Sequence, residues 1–334
     1  MTEQTPTMRA IRYQAAGGPE VLALEEVARP EPATGQALVR IAAAGVNYAD
    51  IARRYNRYLE ATPFPYIPGA EFVGEIVALG PDTPETPGLR VGARVVGLCA
   101  SGGYAEYVAT SLRGLAPAPD GPSDTDLVAL PVQGVTAYHL LKTCARLAPG
   151  ERVLVNAAGG GVGVLAIQVA RLLGAGKIIA AAGSDEKAEL ARSLGAHEFI
   201  NYRTEYLTER VKALTDGKGA DVILEPVGGD IYHQSEQALA PFGRLVVFGA
   251  ASGQPGLIDP LRLMRRNASV VGFWLATLPG KMIAEGMGAM IGWLAQGELR
   301  IISGGVYSLE EAAQAQRDME GRRTHGKLAL VMTR

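Results

Sequence analysis

The sequence predicts an α/β protein of two domains, one of them built on a doubly wound parallel sheet. At 334 residues the chain is long for one hydrophobic core and ordinary for two. From Val153 onward, apolar runs of strand length alternate with amphipathic segments of helix length, as in parallel strands joined by crossover helices. Before about Asp126 the apolar runs are short and bounded by Gly and Pro, the pattern of irregular, mostly antiparallel β structure.

In the first part, strands are expected at Leu38–Ala43, Glu75–Leu79, Val91–Leu98 and, past Gly102-Gly103, Tyr104–Ala109. Pro63–Pro68 admits neither a regular helix nor a central strand, because proline fixes φ and removes amide donors. A Pro- and Gly-rich stretch, Pro117–Ser123, leads into the second part. Strands are expected there at Val153–Ala157, Ile178–Ala182, Glu198–Asn201, Val222–Leu224, Leu245–Phe248 and Ser269–Phe273. The helix through Val164 and Leu172 is apolar enough to be buried and stops at Gly174. The next is expected to start on Ser184 as N-cap, with Asp185 and Glu186 opposing the helix dipole and Gly195 closing it. After about Leu275 the alternation ends. Met282–Gln296 and Leu309–Glu320 read as helices, and Lys327–Met332 as a strand returning to the first domain. The domains are accordingly expected at 1–127, 128–275 and 276–334, the last rejoining the first.

A formal net charge of −2 offers no electrostatic basis for a nucleic-acid or anionic-membrane partner. No stretch approaches the roughly 20 apolar residues of a membrane span. The start, Met1 to Arg9, lacks the apolar core of a signal peptide. Cys99 and Cys144 form no C-x-x-C pair, and their scarcity suits a reducing compartment. A soluble cytoplasmic protein is expected.

The first strand of the second part runs into Ala158-Gly159-Gly160-Gly161-Val162-Gly163, and a helix follows at once. This is the dinucleotide fingerprint with Ala158 for its first glycine. Gly160 and Gly161 let the backbone approach a pyrophosphate, which free amides at the helix N-terminus stabilise. Gly163 lets helix and strand pack closely. A glycine-rich turn can simply join a strand to a helix, but its place at the first turn of six α/β units favours binding. Enzymes selecting NAD usually carry an acid about 20 residues on, at the tip of the second strand. Here the tip reads Ala182-Gly183-Ser184, which leaves room for a 2′-phosphate, and Ser184 and Lys187 offer a hydroxyl and a cation. A lysine on a helix is as readily a solvated one. NADPH is the expected cofactor.

Gly45-Val46-Asn47-Tyr48-Ala49-Asp50, Pro68-Gly69-Ala70-Glu71, Asn156 through Gly163, Leu194-Gly195-Ala196, Ile200-Asn201-Tyr202 and Gly326-Lys327 together carry a resemblance that covers nearly the whole chain. The sequence resembles the zinc-independent quinone oxidoreductase (zeta-crystallin-like) branch of the medium-chain dehydrogenase/reductase superfamily. The resemblance implies a GroES-like, mostly-β catalytic domain beside a Rossmann cofactor domain, an active site in the cleft between them, and a homodimer formed through the cofactor domain. Relative to the zinc-dependent enzymes, Asn47, Ala70 and Val132 stand at the ligand positions. An amide, a methyl and an isopropyl group cannot build a catalytic zinc site, and His139, His197, His233 and His325 are scattered, so no metal is expected.

The resemblance further implies that Gly160, Gly161 and Val162 lie against the pyrophosphate. Gly183, Ser184, Lys187 and Tyr202 would surround the 2′-phosphoribose, with Arg322 reaching in from the tail. Phe248, Gly249, Ala250, Phe273, Trp274 and Leu275 would approach the nicotinamide half, and Thr136 its ribose. Tyr202 equally suits a core position. Asn47 and Tyr58 are the candidates for polar contact with a carbonyl or the nicotinamide amide, though Asn56 replaces the glycine of the family's R-x-G-x-Y. Asp50 reads as structural, bonding backbone or an arginine. Three functions are open, in this order: an NADPH-dependent quinone reductase acting without metal, an NADPH-dependent 2-alkenal or enoyl double-bond reductase, and a non-catalytic NADPH-binding protein.

Overall fold

The computed structural model describes residues 6–332. Part of the polar start read above, residues 1–5, lies outside that range. The chain divides into two compact units. The first runs through Val132 and takes up the chain again at Pro279–Ala295 and from Ile301 onward. The second comprises Gln133–Leu278 and Gln296–Arg300. Among the described residues no helix is long and apolar enough to cross a membrane.

In the first unit β1 (Thr7–Arg12) and β2 (Ala23–Ala28) form an antiparallel pair. The main sheet has seven strands, in the order β14-β15-β3-β4-β5-β7, with β6 pairing β3 off that path. The strands are β3 (Gln36–Val46), β4 (Glu71–Leu79), β5 (Arg94–Leu98), β6 (Tyr107–Ser111) and β7 (Leu115–Pro117), joined much later by β14 (Ser303–Ser308) and β15 (Lys327–Val331). Most pairings are antiparallel; β14 and β15 run parallel. Its core gathers Val39, Ile41, Val46, Phe72, Ile76, Val95 and Tyr104 with Leu328 and Leu330 from the returning strand. Short α1 (Tyr48–Arg54) is tied to α10 (Ala312–Glu320) by Arg54, wholly buried, which donates to Gln316 and pairs with Glu320 at 2.8 Å. α2 (Asp124–Leu127) and α9 (Gly280–Ala295) complete this unit.

The second unit is a six-stranded parallel sheet in the order β10-β9-β8-β11-β12-β13. Its strands are β8 (Arg152–Val155), β9 (Lys177–Ala182), β10 (Glu198–Asn201), β11 (Ala220–Glu225), β12 (Leu239–Val247) and β13 (Ser269–Gly272). Helices α3 (Val135–His139), α4 (Gly161–Leu172), α5 (Glu186–Ser193), α6 (Leu207–Leu214), α7 (Gly229–Ala238) and α8 (Pro260–Met264) belong to it. α4 is buried from Gly163 to Ala170 without a polar face, so its apolar sequence suits its place against the sheet. The chain moves outward from β8 to β10, then returns to start β11 on the other side of β8. That reversal is the topological switch point, where ligands of such sheets bind beyond the strands' carboxyl ends.

Both halves of the expected fold are present, with local corrections. α5 begins on Asp185, not Ser184, and neither caps it through its side chain; Asp185 instead accepts from the Asn201 amide at 3.0 Å. β14 is an addition to the expected strands: Ser303-Gly304-Gly305 gives it little apolar character.

Candidate cofactor and substrate sites

At the switch point, Asn156 follows β8 and donates its amide to Glu225 at the end of β11 and to Ser235 of α7. Glu225 also accepts from the amide of Gly228 at 2.8 Å, and burial pushes its carboxyl up. This network joins the end of β8, from which the glycine loop leaves, to the end of β11. The strained turn falls on Ala157, at φ 49°, and not on Ala158, which is buried and donates its amide to Ala181 at 3.0 Å. The loop therefore turns without its first glycine because the preceding alanine takes the left-handed conformation.

Gly160 is the N-cap of α4 and supplies no side chain to its first amides. A Cβ on Gly163 would lie 2.4 Å from the Ala157 carbonyl, so glycine is required there for the helix to reach the strand. Gly161 and Val162, the first two residues of α4, sit where free amides and the helix dipole favour an anion. Around the tip of β9 the expected residues converge. The aliphatic stem of Lys187 crosses Gly159, whose Cβ would meet it at 2.4 Å. A Cβ on Gly183 would stand 3.2 Å from the Tyr202 ring and 3.2 Å from Arg203 Nε. Tyr202 is half-buried and faces this tip as well as the core. Arg203 was not among the expected residues; its only sequence signal is adjacency to Tyr202. Asp185, two residues past Gly183, accepts from the Asn201 amide. Ser184 lies in the same turn, half-buried. These features suit a dinucleotide with a third phosphate: a cradle that side chains would fill, free amides, and two cations at the strand tip.

The other expected residues of this unit follow strand ends or line α3. Phe248, Gly249 and Ala250 come after β12, and Phe273, Trp274 and Leu275 after β13. Thr136 is buried in α3. A polar concavity of about 520 Å³ opens at the opposite ends of the strands, beside Arg152, Lys177 and Asp221. That is the wrong end of a parallel sheet for a nucleotide.

In the first unit Asn47 is the N-cap of α1 and buried. It donates its side-chain amide to Glu71 at 2.6 Å and accepts from the Lys327 ammonium at 3.3 Å. Glu71 and Lys327 form an ion pair, 0 and 2% exposed, and Glu71 also accepts from the Val132 amide at 2.7 Å. Gly45 must lack a side chain here, because a Cβ would meet Glu71 at 2.3 Å and Lys327 at 2.6 Å. Asp50 accepts from the amides of Asn47 (2.9 Å) and Gly69 (3.3 Å) and from the Tyr104 hydroxyl (3.1 Å). These bonds suit a structural residue, with the Tyr104 hydroxyl in place of an arginine.

Tyr58 is half-buried, and the Arg53 guanidinium stacks on its ring at 4.3 Å. Asn56 adopts φ 51° and accepts from the Thr62 amide at 3.0 Å. It thus supplies the left-handed turn that the replaced glycine would have given. Arg322, exposed, follows α10 in the same conformation at φ 56°.

Two segments match separate family descriptions: residues 33–120 an alcohol dehydrogenase GroES-like domain, and residues 161–293 a zinc-binding dehydrogenase. A quinone oxidoreductase of Pseudomonas aeruginosa is 35% identical over 97% of this chain and 99% of its own. The mouse quinone oxidoreductase-like protein 2 is 34% identical over 93% and 89%. The Escherichia coli quinone oxidoreductase, solved in complex with NADPH, superposes with a TM-score of 0.91 at 30% identity, covering 97% of this chain and 99% of that one. A GroES-like unit and a doubly wound cofactor unit in one chain are the build of a medium-chain dehydrogenase/reductase. This chain belongs to the zinc-independent quinone oxidoreductase branch of that superfamily and is an oxidoreductase.

The zinc of the second family description does not fit the residues present. At the ligand positions Asn47, Ala70 and Val132 offer no thiolate or imidazole. Glu71, next to Ala70, is instead bonded to Asn47, to the Val132 backbone and to the ammonium of Lys327.

Proposed function

We propose that the chain reduces a quinone with NADPH, without metal. The observation that carries the cofactor is the tip of β9. Lys187, Tyr202 and Arg203 gather there, and Asp185 accepts from the Asn201 amide. The acceptor class is supported by the quinone oxidoreductases among its relatives and by the chemistry of the Asn47–Glu71–Lys327 knot. Without a Lewis acid, alkoxide oxidation loses its polarising group, whereas an electrophilic quinone needs less help. When bound, NADPH supplies the hydride. In this reading the mostly-β unit is the catalytic part and the parallel-sheet unit the cofactor part.

The α4 amides at Gly161 and Val162, with Gly160 before them, hold the diphosphate. Gly183, Ser184, Lys187, Tyr202 and Arg203 take the 2′-phosphoribose, with Arg322. Thr136, Phe248–Ala250 and Phe273–Leu275 receive the nicotinamide half. Asn47 and Tyr58 orient the acceptor carbonyl or the nicotinamide amide. The reduced quinone takes its proton from water, and no side chain is assigned as donor.

Charged hydrogen bonds are worth roughly 1.5–3 kcal/mol each, so each cation at the tip supplies roughly 10- to 100-fold of NADPH affinity. Calorimetry on Lys187→Ala and Arg203→Ala is expected to show that loss, with NADH binding almost unchanged. Equal losses for both cofactors would overturn the assignment. Turnover is expected with 1,4-naphthoquinone or phenanthrenequinone. Turnover confined to 2-alkenals or enoyl thioesters would establish the double-bond reductase instead, and binding without turnover on any of them the non-catalytic reading.

The same reading includes a homodimer formed through the cofactor unit. β13 is the outer strand of its sheet, and Leu257, Ile258, Leu261 and Met264 stand 75, 55, 64 and 71% exposed. An open edge and an apolar patch of this kind need a cover. Leu261→Asp with Met264→Asp is expected to yield monomers in sedimentation. Cys99 and Cys144 are unpaired, which suits a cytoplasmic location.

A further inference from the structure

The first π-helical turn, Leu130–Gly134, lies directly ahead of α3, and such turns insert a residue and rotate the helix behind them. It brings Gln133 onto the glycine loop. A Cβ added to Gly161 would lie 2.2, 2.3 and 2.4 Å from Oε1, Cδ and Nε2 of Gln133. The carboxamide therefore rests on the α-carbon of the first residue of α4, and Gln133 is only 5% exposed. Lys187 covers Gly159 in the same fashion. Two polar side chains thus flank the bare loop.

The geometry points to Gln133 as a cofactor-positioning residue that walls the diphosphate cradle over Gly161, with its neutrality as the selecting property. This role rests on the reading that NADPH binds at the glycine loop. The physical reason is electrostatic. A carboxylate at this place would cap the first amides of α4 and compete with the diphosphate for them. An ammonium would oppose the positive end of the helix dipole in the free protein while attracting the diphosphate in the complex. A carboxamide does neither, so the amides stay available. The carboxamide occupies the volume that a methyl group on Gly161 would take, so a side chain there would displace Gln133.

Two measurements on the full chain test this: the thermal midpoint without cofactor, and calorimetry with NADPH. Gln133→Glu is expected to raise the midpoint and to weaken NADPH binding by at least about tenfold, the scale of a misplaced like charge. Gln133→Lys is expected to lower the midpoint while binding NADPH at least as tightly as the unaltered protein. A purely structural glutamine would respond alike to both. The role is overturned if the Glu and Lys variants bind NADPH equally. Failure of the unaltered protein to bind NADPH overturns the cofactor reading itself, and shows before any variant is made.

Discussion

Replacing Lys327 by Met would remove the positive member of a pair that sits fully out of solvent, with Glu71 and Lys327 at 0 and 2% exposure. The carboxylate is then left with neutral donors from Asn47 and Val132 and no counter-charge. Orphaning one partner of a buried ion pair costs about 3–5 kcal/mol, far above the effect of an exposed pair. Glu71→Gln in the same chain removes the stranded charge, and the new carboxamide still accepts a hydrogen bond. The double variant is therefore expected to be more stable than Lys327→Met alone, with a coupling of at least about 2 kcal/mol. Urea unfolding followed by Trp293 fluorescence, in a Trp274→Phe background, reads the first unit, which contains α9. Single variants that each cost under about 1 kcal/mol, with additive effects, would refute a buried, charged knot at the former ligand positions.

Four further outcomes are expected. Burial raises the Asp50 carboxyl from 3.8 to about 6, against three donated hydrogen bonds. The folded chain then binds this proton more tightly than the unfolded one, so stability falls as pH rises from about 4 to about 6. Urea melts should show the unaltered protein losing on the order of 2–3 kcal/mol over that window relative to Asp50→Asn. Ala157→Gly should raise the unfolding midpoint by relieving a left-handed alanine, a gain of about 1 kcal/mol, whereas Asn56→Ala should lose about 1–2 kcal/mol with its turn and its bond to Thr62. Arg53→Leu removes the guanidinium stacked on the Tyr58 ring and should raise the quinone KM about 2- to 10-fold in steady-state assays.

The parallel sheet was legible because its central strands β8, β9 and β11 are largely buried and read as apolar runs, and because β8 leads straight into glycines. β1 and β2 carry no apolar run, because Arg9, Arg12, Glu25 and Glu26 interrupt them, and Arg12 pairs with Glu25 across the hairpin. The lack of zinc ligands could be read from three residue types; the ion pair that took their place could not. Glu71 and Lys327 are 256 residues apart, and no local pattern joins them. Gln133 is equally silent in sequence, since its meaning depends on a π-turn and on a glycine in another element. Asn56 reads as a defect in the family pattern, yet its φ shows that asparagine has assumed the glycine's conformation.

The division of the first unit sets an order of events at the ribosome. Its main sheet acquires β15 only when residues 327–331 emerge, whereas the second unit is nearly complete at Leu278. At about 5–20 residues per second, Glu71 waits roughly 10–50 s for its cation. Throughout that interval the edge of β3 that β15 will cover is unpaired, and a carboxylate destined for burial must remain in water. Early closure is thereby discouraged, and a product that stalls before Lys327 carries an open sheet edge and an unmatched charge, marks by which quality control can recognise it.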